Sequence, residues 1–444
     1  MREKIHRQLR LVSLGIEHDH ARELEAMSVV LDEARDTLAA VQKDLLRGVR
    51  PDVGRQGLTA EQTLRALVIK QMNGFSYDEL AFHLEDSTSY RRFCRFGVAD
   101  RTPSRSTLQR NIKRIRPETL ETINRNLVKQ AQERGVENGR KVRVDCTVEK
   151  SNIHAPTDSS LLYDSIRVLS RWLHRTRELH RCAFSDHSKR AKRRVMGILH
   201  AKWMKARRPL YRDLLEVARS TIRYAENAER VLGRRSDARA VRCATVLRHH
   251  IHLAKRVIEQ TIRRVFQEER LSPQEKVVSI FEPHTDIIVK GNRETFYGHK
   301  VVVTTGASGI VLDCVVEHGN PNDSTLAVKM AKRQRDILGG SPRQMAFDGG
   351  FATKANVRDI KALGVKDVAF SKSCGLTITE MVKSSWVYKR LRRFRAGVEG
   401  DISFLKRCFG LDICNWSGFV SFTAYTWASV VSANLLLLAR AALQ

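Results

Sequence analysis

Leucines recur at positions 24, 31, 38 and 45, and Met27, Ala34 and Val41 fill the alternate seam. Steps of three and four put these residues on one face of an amphipathic helix over 20–46. The heptad run is short for a coiled coil. It predicts either a helix packed on its own domain or a dimer contact. Thr59 and Gln62 then make a capping-box pair ahead of Leu64, Leu67, Val68 and Met72, and Gly74 closes that helix. Ser76 and Glu79 repeat the device before Leu80, Phe82 and Leu84. Pro103 and Ser104 open a third short helix, with Leu108, Ile112 and Ile115 inside and Arg105, Gln109, Arg110, Lys113 and Arg114 outside.

The period then changes. Val142, Val144, Cys146 and Val148 alternate with Arg143, Asp145 and Thr147, the two-residue repeat of a strand. Residues 158–275 return to helical spacing. After them, 299–305 and 310–316 read as a hairpin around Gly306 and Gly309. A helix over 324–337, a strand over 344–347, a helix over 354–363 and a strand over 365–371 follow. Leu391, Phe394, Val398, Ile402, Leu405 and Phe409 step by three or four as a further helix. The order is β, a helical insertion, β-β-α-β-α-β, then helix. Residues 413–439 carry no charge and are long enough to span a bilayer. Asn415, Ser417, Ser421, Thr423, Ser429, Ser432 and Asn434 interrupt that run, so it reads as a buried C-terminal helix.

Charge changes the picture. In 444 residues, 79 Lys and Arg against 49 Asp and Glu leave a formal net charge of +30. Between 167 and 270 alone there are 28 basic and 10 acidic residues. So unbalanced a surface repels itself without a polyanion nearby. The basic residues spread over the whole chain rather than forming one juxtamembrane cluster, which favours double-stranded DNA over a membrane. The insertion then reads as a phosphate-tracking body. The basic third helix of 51–140 suits a helix-turn-helix reader of the major groove, with Arg105, Gln109, Arg110, Lys113 and Arg114 on the DNA. The eight cysteines show no zinc spacing. The start lacks the apolar run of a signal peptide, so a cytoplasmic, nucleoid-associated protein is expected.

Candidate chemistry lies in three carboxylates. Asp145 falls on the polar face of the first strand, and Asp348 ends the fourth, before Gly349-Gly350. Glu399 sits on the helix after the fifth. If first and fourth strands are neighbours, the aspartates meet and the helix brings Glu399 over them. Oxygen ligands of this kind suit Mg²⁺, and two ions about 4 Å apart can serve both the attacking and the leaving oxygen of a phosphodiester. Arg395 and Lys406 share a helical face with Glu399. Gly397 and Gly400 each cost roughly 1 kcal/mol in a helix interior and would let DNA come close. Asp158 and Asp164 read as helix caps, His318 and Asp323 as a turn and a cap, and His249 and His250 as insertion surface.

At these residues the chain resembles bacterial insertion-sequence transposases of the DDE type, and among them is most similar to the ISNCY group. VDCTVEKSNIHAPTDSSLL resembles the first-aspartate block, AFDGGFAT the second, and RAGVEGDISFLKRCFGL the glutamate block. A Tyr-x2-Arg-x3-Glu-x6-Lys signature is matched at Arg395, Glu399 and Lys406 but not at its first position, which is Arg392 here. The resemblance implies an α/β, ribonuclease-H-like catalytic domain at 141–157 and 276–444, interrupted by the basic insertion at 158–275. An all-α DNA-binding region at 51–140 and an amphipathic segment at 1–50 would precede it. It implies Asp145, Asp348 and Glu399 as catalytic metal ligands for two Mg²⁺ ions, with Mn²⁺ able to substitute, and Arg395 and Lys406 as phosphate-positioning residues. It implies a homodimer or higher assembly on the terminal inverted repeats, end nicking, and joining of 3′-hydroxyls to target DNA. A nuclease of the same fold without strand transfer, and a non-catalytic DNA-binding derivative, stay open.

Overall fold

The computed structural model describes residues 18–34, 36–48, 57–97, 100–179, 183–290, 294–372 and 374–444. The first 17 residues, where a signal peptide would lie, the start of the 51–140 region and Cys182 lie outside the described residues. The architecture is mixed α/β, with a helical N-terminal region and a mixed sheet. It divides into two compact units.

The first unit holds residues 1–149, 300–317 and 321–444. Seven helices come first: α1 (Asp19–Glu33), α2 (Asp36–Leu46), α3 (Ala60–Asn73), α4 (Tyr77–Asp86), α5 (Thr88–Phe93), α6 (Arg105–Ile112) and α7 (Pro117–Glu133). Both capping boxes form, at Thr59/Gln62 and Ser76/Glu79, and Gly74 takes the left-handed conformation that stops α3. The single helix expected over 20–46 is two. α1 ends before Ala34, whose carbonyl accepts the Thr37 hydroxyl at 2.6 Å. Leu24, Met27, Leu31, Val41 and Leu45 are nonetheless buried in the chain's own core.

Strand β1 (Lys141–Ser151) begins the sheet. The elements that follow 158–275 are β2 (Asp286–Lys290), β3 (Glu294–Thr305), β4 (Val311–Glu317), α12 (Asp323–Leu338), β5 (Gln344–Phe347), α13 (Lys354–Ala362), β6 (Asp367–Phe370), α14 (Ile378–Met381), α15 (Ser385–Phe409), β7 (Ile413–Cys414) and α16 (Phe419–Ala442). The strand order is β2-β3-β1-β5-β6, with β4 also pairing β3, so that β4-β3-β1-β5-β6 are successive neighbours too, and β7 pairing β1. β3 and β4 are antiparallel, as the hairpin pattern predicts. β5 lies parallel to β1, and β6 parallel to β5. Helix α16 is the one described helix long and apolar enough to cross a membrane, but it packs against α7, α1, α3 and α15 and is largely buried. Several of its polar residues have internal partners. Asn434 accepts from the Val311 amide at 2.9 Å and donates to the Val311 carbonyl and to Asn124, each at 2.7 Å.

The second unit holds residues 150–299 and 318–320. Its helices, α8 to α11 in chain order, are written αA (Asp158–Thr176), αB (Ser188–His200), αC (Met204–Gly233) and αD (Ala238–Thr261), closed by a π turn at Ile262–Phe266. Two apolar clusters hold them together, one around Leu162, Leu214 and Val257, the other around Leu173, Leu232 and Leu247. Thr157, not Asp158, caps αA. Asp158 is buried and accepts from Arg264 at 2.8 Å and Gln260 at 3.0 Å. Asp164 lies inside αA beside Arg167, 2.8 Å away. Both are corrections to their reading as caps. β2, not expected from the sequence, pairs antiparallel with 294–298 of β3.

Candidate active site

The register of β1 and β5 sets the site. Val144 lies opposite Phe347 in the last parallel pair. The next residues, Asp145 and Asp348, therefore leave neighbouring strands side by side, at the roughly 4.8 Å spacing of a sheet. Pleating puts Arg143 and Asp145 on the same face, and both reach α15. The 25-residue α15 starts at the Ser384 hydroxyl cap and ends at Gly410, whose φ is +77°. One rung of it carries Arg395 and Glu399.

Arg395 joins the three carboxylates. Its Nη2 lies 2.8 Å from Asp145 Oδ2 and 3.2 Å from Asp348 Oδ1, and its Nη1 lies 3.3 Å from Glu399 Oε1. The arginine and Asp145 are mostly buried, at 16 % and 14 % side-chain exposure, whereas Asp348 is at 40 % and Glu399 at 69 %. Asp145 Oδ1 also accepts the Cys146 amide at 2.7 Å, and Asp348 Oδ1 accepts the Ser371 hydroxyl at 2.7 Å. The two aspartates are driven apart electrostatically. Burial raises Asp145 from its ordinary value, against the pull of Arg395. Burial also raises Asp348, but the Ser371 hydroxyl, the Gly349 amide, Arg395 and Lys372 together outweigh it and hold that carboxyl below its ordinary value.

Arg143 is a part of this region that sequence reasoning missed. Its guanidinium donates to Thr305 Oγ1 at 2.8 Å, to the Phe394 carbonyl at 3.0 Å and to Asp401 Oδ2 at 2.6 Å. It ties β1, β3 and α15 together directly beneath the Arg395 rung. The signal was an arginine on the polar face of a strand, two residues before Asp145. Gly397 makes room for it, because a Cβ there would land on Arg143 Nη1. The expectation that Gly397 admits DNA is corrected accordingly; at Gly400 nothing lies within 4 Å of a would-be Cβ. Gly349 and Gly350 likewise serve close approach rather than a left-handed turn. Neither has positive φ, and added Cβ atoms would meet Lys372 Cβ at 3.0 Å and Asp323 Oδ2 at 2.9 Å.

The remaining candidate residues lie apart from this cluster. Lys406 Nζ donates to the Val148 carbonyl at 3.0 Å and lies 3.8 Å from Asp412. Helix α6 ends at Ile112, so Lys113 and Arg114 fall beyond it. Arg105 and Arg110 are exposed and Gln109 is half-buried. Arg105 pairs with Asp78 at 3.0 Å, Lys113 lies over the Trp416 ring, and Arg114 donates to the Leu45 carbonyl at 2.7 Å. Asp323 is the first residue of α12, with Asn322 at the cap position, and it pairs with Lys300 at 2.6 Å. His318 stacks on His299 in the second unit.

Three carboxylates around one cation are a donor set that fits a hard divalent ion. As placed, however, the cation is Arg395, and no group of three His, Cys, Asp or Glu among the described residues is arranged to hold a metal. Residues 15–114 match the family described as Transposase domain (DUF772). Residues 275–435, which contain Asp348, Arg395 and Glu399 but not Asp145, match the Transposase DDE domain family. No curated protein and no solved structure matches the chain. Two transposase matches, one over the N-terminal helices and one over the strands and helices around Asp348 and Glu399, support a DDE-type transposase.

Proposed function

We propose that this transposase, of the ISNCY type, uses a ribonuclease-H-like catalytic domain to bind the terminal inverted repeats of an insertion sequence, nick its ends and join the freed 3′-hydroxyls to target DNA. One observation carries the reading: carboxylates from three separate sequence blocks all contact a single guanidinium. The strand order β4-β3-β1-β5-β6, with acids at the ends of two adjacent parallel strands, supports the fold assignment.

In the nicking step a water oxygen bonds to the terminal phosphorus and the 3′ oxygen leaves and takes up a proton. The products are a 3′-hydroxyl and a 5′-phosphate. In joining, that hydroxyl gives up its proton and bonds to a target phosphorus, and the target's 3′ oxygen leaves. Neither step needs a covalent protein nucleophile. Two Mg²⁺ ions, for which Mn²⁺ can substitute, would be held by Asp145, Asp348 and Glu399 and would supply activation of the attacking oxygen and charge for the leaving one. Asp348, held below the ordinary carboxylate range, stays ionised at neutral pH. Arg143 fixes α15 over β1, so that the helix rung carrying Arg395 and Glu399 stays above the aspartates. Arg395 and Lys406 would position phosphates. Arg105, Gln109, Arg110, Lys113 and Arg114 would meet the terminal repeats, and 158–275 would track the backbone, in a homodimer or higher assembly on DNA.

The test is strand cleavage and joining on a labelled duplex of the element's own terminus with Mg²⁺, beside Asp348→Ala. Nicking and joining by the parent, lost in the variant with end binding intact, is expected. Cleavage without joining would favour a nuclease. Specific end binding without cleavage, under either Mg²⁺ or Mn²⁺, would leave only a DNA-binding derivative.

A further inference from the structure

The geometry points to a second role for Arg395: it is the resident cation of the carboxylate site, and metal ions enter as it swings out. This rests on the proposed reading of Asp145, Asp348 and Glu399 as metal ligands.

Four observations carry it. The guanidinium bonds two aspartates through one nitrogen and Glu399 through another, so it sits where a shared ion would have to sit. Arg395 contacts all three carboxylates, and Lys372 acts on Asp348; a pair of divalent ions would neutralise the three more fully. Arg395 Nε is buried and has no hydrogen-bond partner among the described residues, so the arginine is incompletely satisfied in this position. Finally, α15 does not depend on Arg395 for its placement. Arg143 holds it through the Phe394 carbonyl and Asp401, and Val398, Leu405 and Phe409 bury its apolar side. The side chain can therefore leave by rotation while the helix stays.

Once released, the guanidinium lies at the edge of the site with its planar donors available to a phosphate. Metal and DNA then favour the same displaced arginine, and each should raise the other's affinity. In the DNA-free protein, the arginine competes with metal.

The experiment is Mn²⁺ binding to the full chain without DNA, read from the electron paramagnetic resonance signal of free Mn²⁺. The parent is compared with Arg395→Gln, Arg395→Lys and Asp348→Asn. Arg395→Gln should bind Mn²⁺ about tenfold more tightly than the parent, within the usual range of coupling between sites, and Asp348→Asn should lose binding. In thermal melts, Arg395→Gln should fall below the parent in chelator and recover with Mn²⁺, because a ligand of the folded state alone stabilises it. Should Arg395→Gln not fold, Arg395→Lys keeps a charge but cannot bridge all three carboxylates, and it should also bind Mn²⁺ more tightly than the parent. Equal or weaker binding by the folded arginine variants, with binding still lost in Asp348→Asn, would overturn the competition and leave the metal site standing. Absence of site binding in every variant, with Asp348→Asn no different from the parent, would overturn the metal reading and this inference with it.

Discussion

Gly397 and Gly400 stand three residues apart on α15, and the sequence gives no reason to treat them differently. Their surroundings do. A methyl at Gly397 must displace the Arg143 guanidinium, whereas one at Gly400 enters open space. Gly397→Ala should therefore cost about 1–3 kcal/mol, as overpacking does, and Gly400→Ala should gain up to about 1 kcal/mol from helix propensity. Denaturant melts of the two variants check this; equal effects would remove Arg143 as the reason for Gly397. Glu149 is a second residue-scale case. It is wholly buried, and its Oε2 accepts the Thr426 hydroxyl at 2.5 Å. Burial, the largest influence, pushes it from an ordinary 4.5 up to about 8, against Thr426 and Lys406. The folded state thus holds this proton more tightly than the unfolded chain. The resulting stability is full below the unfolded value of 4.5 and is lost as pH rises through about 8. Across that window the decline runs at roughly 1.4 kcal/mol per pH unit. Glu149→Gln should flatten it and exceed the parent's stability above the upper limit. Melts over the same range in which parent and variant run parallel would refute it.

At the scale of elements, α16 shows how an apolar helix is made specific to one place. Asn434 occupies both backbone groups of Val311 on β4 and bonds Asn124 of α7. Ser429 accepts the Gln71 side chain of α3 at 2.8 Å. Ser432 is also buried, but its hydroxyl has no partner among the described residues. Asn434→Leu should cost roughly 1–3 kcal/mol for each buried group left unsatisfied, whereas Ser432→Ala should be neutral or mildly stabilising. A shift in melting midpoint separates the two; a large loss at Ser432 would mean that its hydroxyl is bonded in solution. The polar positions of this helix were visible in the sequence as interruptions, but their partners were not. Most elements were legible because their periods are local: β5 at 344–347 and the helix at 354–363 were read to within a residue. β2 and β7 were not; the two residues of β7 give no alternation to count. The break at Ala34 was hidden because the heptad pattern continues across it.

At the scale of the whole molecule, charge makes the next prediction. Lys192 and Arg193 are exposed on αB, while Arg190 and Arg194 of the same helix are held by Asp213. If αB tracks phosphates, Lys192→Ser with Arg193→Ser should lower the slope of log affinity against log salt by up to about 0.9 for each phosphate no longer neutralised, with stability within roughly 0.5 kcal/mol of the parent. Filter binding over a salt series measures this, and an unchanged slope would take αB out of the DNA interface. Periodicity and composition determined most of the order of elements and the basic helical body, because each depends on neighbours a few residues away; that order, with the family resemblance, singled out three candidate carboxylates. Only the tertiary structure decided that Arg395 lies among those carboxylates, that Gly397 exists for Arg143, and that Asn434 completes the edge of β4. Those contacts join residues far apart along the chain, such as Asp145 and Arg395, 250 positions apart. Distance and direction between such side chains are set by strand register and helix packing, for which a linear pattern carries no signal.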